Sequence, residues 1–183
     1  MVITPTLRGL FGISIDAQSK TITVNPHLPA SWDHAELHNL RIGNDNASLA
    51  FTRTGGTLIA SLDAPAGIKL ASTASDTKQL GANKVSIPLP AIEVGDVTQY
   101  PIPGDRAHAP RVLSETYQAH QFTLSIEGTA GSDVELPLVE NAPKLRIAVH
   151  GAELKTDKNG ARMLSLQIPQ GEEWQTKTVT LTW

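Results

Sequence analysis

Residues 47–62 contain two runs in which apolar residues alternate with small or polar ones, Ala47-Ser48-Leu49-Ala50-Phe51 and Thr57-Leu58-Ile59-Ala60-Ser61-Leu62. The pair Gly55-Gly56 stands between the two runs. Successive side chains of a strand point to opposite faces, so this alternation predicts two strands that each bury one face. A glycine pair between two such strands is typical of a tight hairpin turn. We therefore predict an antiparallel hairpin in this segment.

The same alternation recurs along the chain and predicts its fold class. It is found in residues 20–24, 122–126, 145–149, 162–168 and 176–183. No long run free of Pro and Gly has the apolar spacing of a helix. Gly and Pro are spread along the chain at intervals typical of turns between short strands. We predict an all-β fold, a two-sheet antiparallel β-sandwich of about 11 to 13 strands.

Length and composition limit the domain number and the classes of partner. The chain has 183 residues, 40% of them hydrophobic, and 18 acidic against 15 basic side chains. We expect a single domain over residues 1–183, with a possible sub-boundary near residues 72–83, where small polar residues show no alternation. Residues 99–111, which include three prolines, are also expected to form a loop. The charge balance predicts no nucleic-acid partner, and the lack of a long apolar run predicts a soluble chain with no membrane partner. With no cysteine, the chain has no disulfide and no thiolate chemistry.

Residues 8–43 carry a family resemblance. Three pieces follow one another, Arg8-Gly9-Leu10-Phe11-Gly12-Ile13-Ser14-Ile15-Asp16, then Val24-Asn25-Pro26-His27-Leu28-Pro29-Ala30-Ser31-Trp32-Asp33, then Leu37-His38-Asn39-Leu40-Arg41-Ile42-Gly43. Their order resembles the C-terminal β-sandwich domain of bacterial (α/α)6-barrel glycoside hydrolases. The resemblance is to the glycogen-debranching or amylo-1,6-glucosidase-like group, and more loosely to α-L-rhamnosidases. It covers residues 7–62 and 172–183.

The resemblance implies a non-catalytic accessory domain. In such enzymes the catalytic carboxylates belong to the helical barrel, which would lie before residue 1 in a longer parent chain. We therefore expect no catalytic residue, no cofactor and no enzyme activity in this chain, and packing on the parent's barrel. The location of the parent, including whether it is exported, is left open, with the periplasm and secretion as candidates. Candidates for the barrel interface are Leu7, Leu10 and Phe11, with Val2 and Ile3, and the loop residues Arg106 and His108.

Three other functions remain open at this stage. The first is a carbohydrate-binding module that binds an oligosaccharide through Trp32 or Trp174, against which the low count of eight aromatic residues argues. The second is an independent enzyme, for which no acid–base constellation is found. The third is an immunoglobulin-like interaction domain, which does not explain residues 8–43.

One polar cluster has the spacing of possible metal ligands. His34, Glu36 and His38 would point the same way if they lie on a strand. The competing interpretation is the solvated face of an antiparallel strand whose Leu37 points inward. We favour that interpretation and predict no metal site.

Overall fold

The computed structural model describes residues 6–95, 103–104, 108–142 and 144–183. These residues form sixteen β-strands and one helical turn, Thr6–Leu10. The all-β prediction is confirmed. The number of strands in the described part exceeds the expected 11 to 13, because several strands have only three or four residues, too few to show alternation. The chain divides into two compact units, Met1–Pro90 and Ala91–Trp183.

The first unit contains two sheets. A three-stranded sheet has the order β1-β2-β6, and a five-stranded sheet has the order β3-β4-β5-β8-β7. Only the β2–β6 pair is parallel among the strand pairs of the described residues. The strands are β1 (Ser14–Asp16), β2 (Thr21–Val24), β3 (His34–Ile42), β4 (Asp45–Thr54), β5 (Thr57–Asp63), β6 (Lys69–Ser72), β7 (Lys78–Gly81) and β8 (Lys84–Pro88).

One apolar core joins the two sheets of the first unit. Ile22 and Val24 of β2 belong to the same buried cluster as Leu49 and Phe51 of β4. Face-to-face burial of this kind is the arrangement of a β-sandwich. The predicted hairpin is confirmed, because β4 pairs antiparallel with β5, and Gly55 and Gly56 take φ values of 51° and 78° at its turn. Positive φ values at both central residues suit the right-handed twist of a hairpin.

A β-bulge in β3 changes which residues of that strand point inward. The register of β3 on β4 shifts between Leu37 and Leu40, and Asn39 has a φ of 59°. Leu37 is packed against the core before the bulge, and Leu40 and Ile42 are buried after it. In a regular strand, residues 37 and 40 would lie on opposite faces. The extra residue therefore lets both leucines face the core.

The second unit also contains two sheets. One has the order β10-β11-β16-β13 and the other has the order β14-β15-β12-β9. Phe122, Leu124 and Leu181 of the first sheet share a buried cluster with Leu136 and Leu164 of the second. The strands are β9 (Ile92–Val94), β10 (Arg111–Gln118), β11 (Gln121–Thr129), β12 (Asp133–Glu140), β13 (Ala148–His150), β14 (Glu153–Thr156), β15 (Arg162–Gln167) and β16 (Trp174–Thr182). The two-sheet sandwich is thus present in each unit.

The two stretches expected as loops have different outcomes. Residues 72–83 lie inside the first unit and contain β7, an edge strand whose four residues are all exposed. A strand exposed on both faces has no apolar alternation, which is why the sequence pattern did not predict it. The division between the compact units falls at Pro90 and Ala91. Most of residues 99–111 lie outside the described part, and Arg111 begins β10. The number of independently folding domains stays a prediction.

Candidate functional sites

The residues predicted to contact a catalytic barrel differ in their exposure. Leu7 and Leu10, in the helical turn, are half-buried against the core of the first unit. Phe11 is only 5% exposed, and its ring centroid is 5.7 Å from that of Phe51. Leu7 and Leu10 therefore keep part of their surface exposed, whereas Phe11 belongs to the core. Val2 and Ile3 lie outside the described residues.

Trp32 lies at the surface next to Phe11. Its side chain is 39% exposed, and its ring centroid is 6.5 Å from that of Phe11. Residues 26–32, which contain Pro26 and Pro29, form what we call the corner. The Trp32 amide donates to the Pro29 carbonyl over 3.0 Å, which closes a turn at the end of the corner. From β4, Arg53 Nε donates to the Trp32 carbonyl over 3.0 Å, and its guanidinium also reaches the Pro29 carbonyl over 3.3 Å. These bonds hold the backbone beneath an accessible indole ring.

His34, Glu36 and His38 lie together on the outer face of β3, as the sequence predicts. His34 Nε2 is 3.0 Å from Glu36 Oε1, and His38 Nε2 is 3.1 Å from Glu36 Oε2. The other ring nitrogens contact β4, with His34 Nδ1 3.1 Å from the Thr52 hydroxyl and His38 Nδ1 3.3 Å from the Ser48 hydroxyl. The result is a continuous chain of hydroxyl, imidazole, carboxylate, imidazole and hydroxyl groups.

The chemistry of this histidine–glutamate chain is limited by its exposure. Its three ionisable side chains are 46–64% exposed on an open sheet face. Catalysis by a hydroxyl and an imidazole needs a binding cleft and donors for a developing oxyanion, which an open strand face does not supply. Among the described residues, no group of three or more His, Asp or Glu side chains is placed to hold a metal ion. The histidine–glutamate chain thus connects β3 to β4 through polar contacts of its two imidazoles with the Thr52 and Ser48 hydroxyls.

Trp174 is the first residue of β16 in the second unit, and a side chain from β10, two strands away in the same sheet, covers its ring. The Arg111 guanidinium of β10 lies over the indole, with its carbon 4.6 Å from the ring centroid. Arg111 is also 3.6 Å from the Glu127 carboxylate of β11. A sugar could stack on this face of the ring only after Arg111 had moved. Between the two tryptophan candidates, the structure leaves Trp32 with the more accessible ring.

The two loop residues predicted to contact a catalytic barrel, Arg106 and His108, lie within or beside a gap in the described residues. Arg106 lies outside them. His108 lines a groove of about 620 Å³ in the second unit together with Pro110, Thr129 and Glu135. The Thr129 hydroxyl is buried and has no hydrogen-bond partner among the residues that the structure describes. The structure thus places His108 on a concave surface of the second unit.

A tyrosine with a perturbed pKa was not predicted from the sequence. Tyr117 of β10 stacks on Phe122 with ring centroids 4.7 Å apart, and its hydroxyl donates to Glu115 over 3.4 Å. Partial burial, followed by the negative charges of Glu115 and Glu93, raises the pKa of Tyr117 well above its ordinary value. Glu93 belongs to the other sheet, so no local sequence signal could have revealed the pair.

Comparisons with known proteins add no relative. No protein-family model, curated protein or solved structure matched the chain. Within the described residues, there is no helix with the length and apolar character that a membrane span needs.

Proposed function

We propose that the chain is a non-catalytic accessory part of a glycoside hydrolase and that it packs on a helical catalytic domain of the same parent protein. The observation that supports this proposal is the partly exposed apolar surface of Leu7, Leu10 and Trp32 in the first unit. Clustered exposed apolar side chains commonly mark contact surfaces. The resemblance of residues 8–43 supplies the class of partner.

Hydroxyl-radical footprinting of the parent protein tests the proposal. Leu7 and Leu10 should react several-fold more slowly in the parent protein than in this chain alone, because the catalytic domain would cover them. Leu80, which is 55% exposed on edge strand β7, is the internal control and should react equally in both. A parent protein without a helical domain, or equal reactivity of Leu7 and Leu10 in both samples, would overturn the proposal.

A second candidate function is oligosaccharide binding at Trp32. The exposed ring of Trp32, whose backbone is held by Arg53, favours it over Trp174. Isothermal titration with α-glucans and rhamnose-containing oligosaccharides should then give saturable heat that Trp32→Ala abolishes and Trp174→Ala retains. Absence of heat, or heat that survives in Trp32→Ala, would contradict this candidate.

A further inference from the structure

The outer face of the β10-β11-β16-β13 sheet carries aligned rows of hydroxyl side chains. Phe122, Leu124 and Ile126 of β11 point into the core, so the residues between them point outward. The same reasoning applies to β16, where Val179 and Leu181 are buried. The outward residues of β16 are Thr176, Thr178, Thr180 and Thr182, and we call the whole outward surface the threonine face.

The strand register joins these threonines to hydroxyls from other strands. One row contains Thr116, Thr123 and Thr180, which are direct cross-strand partners. The next row contains Ser114, Ser125 and Thr178. Neighbouring strands are about 4.8 Å apart, and alternate residues of one strand are about 6.7 Å apart. The face therefore presents hydroxyls at regular intervals in two directions.

These hydroxyls are available to a ligand. Thr176, Thr178 and Thr182 are exposed, and Thr180 is partly exposed. Within the described residues, the four hydroxyls make no hydrogen bond to another side chain. The one such bond on the neighbouring strand joins the Gln121 amide to the Thr123 hydroxyl over 3.3 Å.

The chemistry of the face selects the kind of ligand. Both hydroxyl rows lack charged side chains on β10, β11 and β16. On β13, His150 follows Thr180 at the end of one row. The Arg111–Glu127 ion pair borders the other row and lies beside Thr176. A charged polymer would find no repeated counter-charges along the rows, because the Arg111 and Glu127 side chains pair with each other at their border. An apolar protein surface would bury their hydroxyls without hydrogen bonds, which is costly. A glycan has donors and acceptors on every ring and can bond to many hydroxyls at once.

We propose that the threonine face binds a linear, uncharged polysaccharide. From Thr176 to Thr182 the strand extends about 20 Å, which gives room for several sugar rings. The hydroxyl rows make the main contacts, because Arg111 occupies the face of the Trp174 ring. This binding needs neither the proposed catalytic partner nor Trp32.

Affinity electrophoresis of this chain tests the proposal. Native gels would contain amylose, xylan, galactomannan or hydroxyethyl cellulose, with polygalacturonate as a charged comparison. We expect at least one uncharged polymer to retard the chain and polygalacturonate to leave its mobility unchanged. The double variant Thr178→Val/Thr180→Val should weaken retardation at least about tenfold, since each lost hydrogen bond is worth severalfold in affinity.

Valine keeps the β-branched shape, so the double variant should retain the strand. Circular dichroism checks its fold, and Ser125→Ala is a second variant on the face. Thr156→Val, an exposed threonine of β14 in the other sheet, is the matched control and should bind normally. Failure of every uncharged polymer to retard the wild-type chain would overturn the proposal. Retardation that survives in the double variant but disappears in Trp32→Ala would also overturn it and assign binding to Trp32.

Discussion

Arg53 on β4 donates from Nε to the backbone carbonyl of Trp32, 21 residues earlier in the chain, over 3.0 Å. The same guanidinium approaches the carbonyls of Leu28 and Pro29. A planar group with several fixed donors can satisfy three carbonyls of one turn, which an ammonium group cannot do with the same geometry. The accessible tryptophan thus depends on a long-range contact from the sheet.

Arg53→Lys should therefore loosen the corner that supports Trp32. We expect it to lower the free energy of unfolding by about 1–2 kcal/mol, because the exposed Trp32 carbonyl and the partly buried Leu28 and Pro29 carbonyls lose a donor. Urea denaturation followed by tryptophan fluorescence measures the change. Arg41→Lys on the exposed side of β3 is the control and should stay within about 0.5 kcal/mol of wild type. Equal stability of the two variants would show that the three carbonyls do not need the guanidinium.

Any side chain at position 12 should lower the free energy of unfolding. The φ of Gly12 is +59°, and a Cβ atom there would overlap the Asn25 carbonyl. Gly43 is the matched control, because its φ is +61° but a Cβ atom would meet nothing within 4 Å. Gly43→Ala should cost about 1–2 kcal/mol from backbone conformation alone. Gly12→Ala should cost clearly more in the same urea experiment, and equal losses would contradict the close approach to Asn25.

The bulge in β3 makes a separate prediction at Asn39, whose φ is 59°. Asn adopts this left-handed conformation more readily than β-branched residues do. Asn39→Val should lower stability by about 1–3 kcal/mol, whereas Asn39→Gly should be nearly neutral or slightly stabilising. Differential scanning calorimetry compares the two variants. If valine were tolerated as well as glycine, the bulge would not require a positive φ at this position.

The Asp16 carboxyl group should make the free energy of unfolding depend on pH in the acidic range. The carboxylate accepts hydrogen bonds from the Ser19 hydroxyl over 2.7 Å and from the Gln18 amide over 2.9 Å. The Ser19 hydroxyl, then the Ser19 and Gln18 amides, hold the pKa of Asp16 below its ordinary value. The pKa of Asp16 is lower in the folded protein than in the unfolded chain. Its contribution to the free energy of unfolding is therefore fully present above the unfolded-state pKa and is lost as the pH falls through the folded-state pKa.

NMR titration of the Asp16 carboxyl carbon measures this shift. Ser19→Ala should move the pKa of Asp16 upward toward its ordinary value. Asp16→Asn should reduce the loss of stability on acidification from about pH 5 to pH 2. If the pKa of Asp16 were unchanged in Ser19→Ala, the Ser19 hydroxyl would not be the main cause of the lowered pKa.

The position of the histidine–glutamate chain was predictable only in part. The spacing of His34, Glu36 and His38 indicates a shared face, and the structure places them together. Their partners on β4 follow from the register, which the bulge changes. The pairing Ile42–Asp45, continued without a bulge, would set His34 opposite Arg53, whereas the structure pairs His34 with Thr52. One inserted residue also decides that this cluster faces outward while Leu40 and Ile42 face the core.

The sequence by itself determined the strands with alternating apolar residues and the hairpin at Gly55-Gly56, because alternation and turn residues act over a few neighbouring positions. It also showed the four threonines of β16 at alternate positions. Only the tertiary structure decided how the strands divide among four sheets and two compact units. It also set β11 beside β16, which aligns Thr123 with Thr180 across 57 residues of chain. Such pairings depend on burial and hydrogen bonding between distant segments, and no local pattern encodes them.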